Sequence, residues 1–124
     1  MPINYVLDHG RRRVVTRGTG EITLADLLEY ARSRVTGGAA SYDQLFDARG
    51  ASINLSVLEL EQLVTASRLA HAGAPFGRTA IVADLDVTFG VARMAEVLTE
   101  RGGISSRAFR TVREASAWLD GASD

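Results

Sequence analysis

The run Tyr42-Asp43-Gln44-Leu45-Phe46-Asp47-Ala48-Arg49-Gly50 decides how this 124-residue chain is read. Leu45 and Phe46 are consecutive apolar residues, with Ala48 close behind, so neither face of the strand they predict is wholly polar. Such a strand is covered on both sides, as in a parallel sheet flanked by helices. Asp47 and Arg49 close the run at its carboxyl end, where open α/β sheets keep their functional crevice.

Beyond Gly50 a short connection leads to Ser56-Val57-Leu58-Glu59, a capping box in which hydroxyl and carboxylate satisfy free backbone amides. The helix it opens runs to about His71, with Val57, Leu60, Leu63, Val64 and Ser67 inward and Ala70 near its end. Gly73-Ala74-Pro75 stops it, because proline cannot continue the helical ladder. Thr79-Ala80-Ile81-Val82-Ala83 predicts a short buried strand, and either Asp84 or Asp86 suits the cap of the next helix. That helix, about Val87–Arg101, turns Val87, Val91, Met94, Ala95 and Leu98 inward, and Gly102-Gly103 ends it. Arg107–Arg110 reads as a last strand, and Thr111-Val112-Arg113-Glu114 as a third capping box. The final helix carries Val112, Ala115, Trp118 and Leu119, with fraying expected from Asp120 onward.

On the amino-terminal side, Ile3, Tyr5 and Leu7 alternate with Asn4, Val6 and Asp8. His9-Gly10 supplies a two-residue turn, and a second strand returns over about Arg12–Arg17, with Val14 and Thr16 on one face. The basic cluster Arg11-Arg12-Arg13 suits a solvated sheet edge that discourages association better than a phosphate site. Thr23-Leu24-Ala25-Asp26 is another capping box; Leu24, Leu27, Leu28, Ala31 and Val35 form one apolar stripe, and Gly37-Gly38 closes the helix.

The element order is therefore ββαβαβαβα: an α/β fold with an N-terminal hairpin and a mixed, mostly parallel five-stranded sheet flanked by four helices. Residues 1–124 form a single domain. Apolar residues make up 46% and charged residues 23%, as in soluble globular proteins. A net charge of −1 gives no field to gather nucleic acid. All 14 basic residues are arginine, which removes Schiff-base and P-loop lysine chemistry, and the lack of cysteine removes disulfides and thiolate ligands. Met1-Pro2-Ile3-Asn4-Tyr5 has no signal-peptide character, and no apolar stretch reaches the ~20 residues of a membrane span. A cytoplasmic location is expected, with no integral membrane insertion.

The hairpin, the Phe46-Asp47 strand end and the helical segment Phe89-Gly90-Val91-Ala92-Arg93-Met94 together resemble the SpoIIAA-like proteins of the STAS superfamily. The resemblance covers essentially the whole chain, and the fold is also related to CRAL-TRIO lipid-transfer domains. It implies an α/β sandwich that acts as a binding or switching module rather than as an enzyme. In STAS anti-sigma-factor antagonists an Asp-Ser-Ser-Gly motif follows the central strand, and a serine at the start of the next helix is phosphorylated. The matching stretch here is Ile53-Asn54-Leu55-Ser56-Val57: Asn54 replaces the aspartate, Ser56 falls on a serine position, and the glycine is absent.

Each candidate residue has a chemical and an architectural reading. Ser56 stands at a helix N-terminus that would accept a phosphate, but Glu59 would repel one, so the cap is the preferred role. Asp84 and Asp86 resemble a metal pair, yet they lack a third ligand and suit N-capping better. Neither His9 nor His71 has a partner at metal-ligand spacing. Phe89 and Arg93, four apart on one helical face, offer an aromatic wall and an anion grip; alternatively Arg93 pairs with Glu96 or Asp47. Asp47 and Arg49 share that ambiguity.

These residues support a non-catalytic, STAS-like interaction module acting on a protein partner. Its surface would combine Asp47, Arg49, Asn54 and Ser56 with Asp84, Asp86, Phe89 and Arg93. The first alternative is a pocket for a lipid or small apolar ligand, with Phe76, Leu85 and Phe89 at its rim. The second is a phospho-switched antagonist using Ser56. No cofactor or metal is expected, and the hairpin edge is a surface where a second copy can pair.

Overall fold

The computed structural model describes residues 2–121. β1 (Ile3–Asp8) and β2 (Arg13–Gly18) form the hairpin in antiparallel register, Asp8 opposite Arg13. Its loop is His9-Gly10-Arg11-Arg12, longer than the expected two-residue turn. Arg12 enters the left-handed region at φ 53°, and its amide donates to the His9 carbonyl at 3.3 Å. β4 (Asp43–Asp47), β6 (Thr79–Val82) and β7 (Ser106–Phe109) complete a sheet of order β1-β2-β4-β6-β7. Every pairing after the hairpin is parallel, because a helix carries the chain back between successive strands.

That order corrects the reading of the arginine cluster. β1 is the edge and β2 lies inside, so the cluster guards no edge. Arg11 pairs with Asp8 at 3.9 Å, Arg12 lies 5.0 Å from the Tyr42 ring centroid, and Arg13 is buried against Asp120 at 2.8 Å. Asp120 is thereby anchored where fraying was expected; residues 122–124, to which that expectation also extended, lie outside the described residues.

Helices α1 (Leu24–Thr36), α2 (Val57–His71) and α3 (Asp86–Arg101) cover one face of the sheet, and α4 (Val112–Leu119) covers part of the other. β4 serves both layers. Phe46 packs with Leu27, Tyr30, Leu60 and Val91, while Leu45 packs with Ala80, Val82, Ala115 and Leu119. This two-sided burial is what the consecutive apolar pair requires. On the α4 side of the hairpin, Val6 and Val15 remain exposed.

Two short strands, β3 (Gly20–Glu21) and β5 (Ala51–Ser52), pair in parallel as a separate ribbon. Both fall in segments expected to be plain connections; two residues cannot show a period. The capping boxes at Thr23 and Ser56 are complete. At Thr111 the hydroxyl accepts the Glu114 amide but donates to the Glu114 carboxylate, so the reciprocal backbone bond is missing.

Leu85 is the N-cap of α3 and no side chain caps it, because Asp84 and Asp86 are engaged elsewhere. The inward face of this helix starts at Thr88, with Val91 and Ala92; Val87 is exposed, as is Val57 on α2. Thr88 accepts the Ile53 amide at 3.1 Å and donates to the Ala51 carbonyl at 2.8 Å, tying α3 to β5. Where β6 begins, Gly77 passes so close to β4 that a Cβ there would meet the Tyr42 carbonyl and lie 2.7 Å from the Asp43 nitrogen.

Candidate functional site

The carboxyl ends of the parallel strands carry a chain of paired charges. β2 and β4 align Arg17 beside Asp47. The Asp47 carboxylate accepts Arg49 Nε at 2.9 Å and Nη2 at 2.8 Å, a two-point fork, and Arg17 stands 3.3 Å away. Arg17 Nη1 also donates to the Arg49 carbonyl at 2.6 Å. Burial pushes the Asp47 carboxyl up, but the Arg49 hydrogen bonds and both guanidinium charges outweigh it and hold the group below its ordinary value.

Gly50, at φ 79°, turns its amide onto Asp84 Oδ1 at 2.9 Å. That bond is the main reason the Asp84 carboxyl lies below its ordinary value. Just past β7, Arg110 donates to the Asp84 carbonyl and to Asp86 Oδ1, both at 3.0 Å, and its guanidinium carbon lies 3.9 Å from the Phe89 ring centroid. Asp47, Arg49, Asp84, Asp86 and Phe89 thus lie along one ridge.

Other expected residues stand apart. Arg93 forms an ion pair with Glu96 at 3.7 Å, the first of its two expected partners. Asn54 is exposed on the connection before α2. Ser56 Oγ accepts the Glu59 amide at 3.1 Å and Glu59 returns a bond to the Ser56 amide at 3.0 Å. Among the described residues no cluster of three His, Asp or Glu side chains is placed to hold a metal.

Two ridge residues, Arg17 and Arg110, are missing from the sequence reading. Arg17 lies near the end of β2, where parallel register with β4 sets it beside Asp47; Arg110 follows β7 and meets Asp86 only through the start of α3.

A second feature lies between the sheet and α1, α2 and α3: a partly open, mainly apolar cavity of about 160 Å³. Leu60, Leu63, Val91 and Ala95 line it, and Phe76 closes one side, stacked 3.6 Å from the buried His71 ring. The expected rim is only partly right, since Leu85 and Phe89 are not among the lining residues. Across the sheet floor runs a polar line. Thr16 and Tyr30 hydroxyls are 2.7 Å apart, Tyr30 donates to Gln44 Oε1 at 2.7 Å, and Gln44 Nε2 donates to Thr79 Oγ1 at 3.0 Å. Burial pushes the Tyr30 phenol up to about 12, which keeps it a neutral donor.

No protein-family model matches the chain, and no curated protein matches it in sequence. Solved structures match in fold. An uncharacterized protein of the DUF3478 family from Shewanella loihica PV-4, with a SpoIIAA-like fold, superposes with a TM-score of 0.60 at 16% identity, covering 94% of this chain and 93% of that one. The chain has a SpoIIAA-like fold. The anti-sigma factor antagonist SpoIIAA in its unphosphorylated form superposes with a TM-score of 0.55 at 17% identity, covering 96% of this chain and 98% of that chain. The expected SpoIIAA-like architecture is therefore present, from the hairpin through the fourth helix. Among the described residues, no helix is long and apolar enough to cross a membrane.

Proposed function

We propose that the chain is a non-catalytic, STAS-like module that engages a protein partner along the carboxyl-edge ridge. The observation that supports this most is the set of charges already paired in place and still open to solvent. The Arg49 and Arg110 side chains are 49% and 44% exposed while each holds an aspartate, and Phe89 lies beside Arg110. Held arginines and a nearby aromatic ring are the groups that carry energy at protein interfaces. The near-balance of charge suits a protein surface better than a polyanion. The antagonist SpoIIAA, which shares the fold, bears a name that places it opposite a protein factor.

The test is co-purification with crosslinking, comparing the wild type with the triple variant Asp86→Ala, Phe89→Ala, Arg110→Ala. A specific protein held by the wild type and lost by the folded variant is the expected result. Equal recovery by both would remove the ridge from the function.

Phospho-switching at Ser56 is disfavoured, since both partners of the capping box are committed and Glu59 would face the phosphate. A second reading, that the protein holds a small apolar ligand, is favoured by the cavity between the sheet and α1, α2 and α3.

A further inference from the structure

Arg34 is the residue of the cavity wall that the fold itself does not explain. It lies in the last turn of α1, is 4% exposed, and lines the cavity. Its Nε has no hydrogen-bond partner, and Nη1 reaches the Ala39 carbonyl only at 3.5 Å. Among the described residues no carboxylate forms an ion pair with it. Arg13 makes the contrast: its guanidinium, also buried, has Asp120 at 2.8 Å. The carbonyls at the end of α1 favour a cation there, but they do not replace a counter-ion in an apolar wall.

Most of the other polar side chains around the cavity are already bonded within the protein. Tyr30, Gln44 and Thr79 bond to one another, and the Thr99 and Ser106 hydroxyls are 2.7 Å apart. Among the described residues, Arg34 is the one lining side chain with a buried, unpartnered donor to offer a guest, and a planar guanidinium matches a carboxylate. Size narrows the class further. An apolar cavity of about 150 Å³ accepts a benzene-sized guest, and this one measures about 160 Å³.

We propose that the cavity binds a small monocarboxylic acid with an apolar body of about six carbons, its carboxylate received by Arg34. The proposal rests on the reading of the cavity as a ligand site and is independent of the ridge. Burial lowers the guanidinium from its usual value, yet arginine stays protonated, so the pairing is ionic.

The test uses hexanoate and its neutral counterpart hexanamide, titrated into the ¹⁵N-labelled full chain and followed by two-dimensional NMR. Hexanoate should bind about tenfold more tightly than hexanamide and shift the Arg34 Nε–Hε resonance together with the amides of Ala31 and Ala92. In Arg34→Met, which removes a buried unpaired charge and keeps an apolar side chain in place, hexanoate should fall to the hexanamide level. Equal binding of the two probes to the wild type, an unmoved Arg34 Nε–Hε resonance, or a preference that survives Arg34→Met would each overturn the carboxylate assignment. The first comparison needs no variant. Hexanamide bound as well as hexanoate would leave the apolar-ligand reading standing, whereas no response to either probe would end both.

Discussion

Arg13 and Asp120 are joined at 2.8 Å across 107 positions of sequence, fastening the second strand to the end of the last helix. The guanidinium is 7% exposed and the carboxylate 55% exposed, so Asp120 can be lost to solvent far more easily than Arg13. Asp120→Ala should leave a buried, unpaired cation and lower the thermal midpoint by several degrees, read by circular dichroism. The Arg13 hydrogen bond holds the Asp120 carboxyl below its ordinary value, so this stabilisation is present at neutral pH and is lost on acidification.

Asp47 gives a second pH-dependent contribution. Its folded value is depressed below the ordinary 3.8, despite burial, by Arg49 and Arg17. A depressed carboxyl stabilises the fold above its unfolded value and stops doing so as pH falls through the folded one. Asp47→Asn should therefore cost about 1 kcal/mol at pH 7, in urea melts, and show a flatter decline than the wild type below about pH 4.

Ser56 separates a cap from a switch. Ser56→Ala should cost about 1 kcal/mol by loss of the cap, while Ser56→Asp, which can still accept the Glu59 amide, should be nearly neutral. Equal losses in the two variants would show that the hydroxyl has a role other than capping.

Thr88, itself 1% exposed, ties α3 to the β5 ribbon through its hydroxyl. Thr88→Val keeps the shape but strands the Ile53 amide and the Ala51 carbonyl, which should cost about 2 kcal/mol in a denaturant melt. Faster hydrogen exchange at Ile53 is the accompanying local signature.

The framework was readable because several local signals agreed. Thr23–Asp26 and Ser56–Glu59 set two helix starts, and the apolar pair Leu45-Phe46 announced a strand buried on both faces. Where the reading failed, tertiary contacts had decided. Val87 fits the apolar period of α3, yet the buried position went to Thr88, whose hydroxyl serves two backbone groups on another element. Asp84 and Asp86 looked like caps because no local feature reveals that Gly50 and Arg110 claim them. Arg34 was hidden by its charge: it follows Leu27 by seven residues on the inward face of α1, where a count of apolar positions passes over an arginine. Five of the seven ridge residues were visible in the sequence; Arg17 needed the register of β2 with β4, and Arg110 the tertiary contact with Asp86.

The eight-residue α4 has consequences for how the molecule opens. A helix of that length does not persist alone in water. Two arginines distant in sequence from each other hold its far end: Arg13 of β2 takes Asp120, and Arg78, just before β6, lies 4.8 Å from the Trp118 ring and donates to the Leu119 carbonyl at 2.7 Å. Releasing α4 would uncover Leu45, Ala80 and Val82 and leave both cations without these partners in one event. The helix should thus share one protection factor with the middle of the sheet, and its amides will exchange as slowly as those of β4 and β6 rather than as those of a loose end.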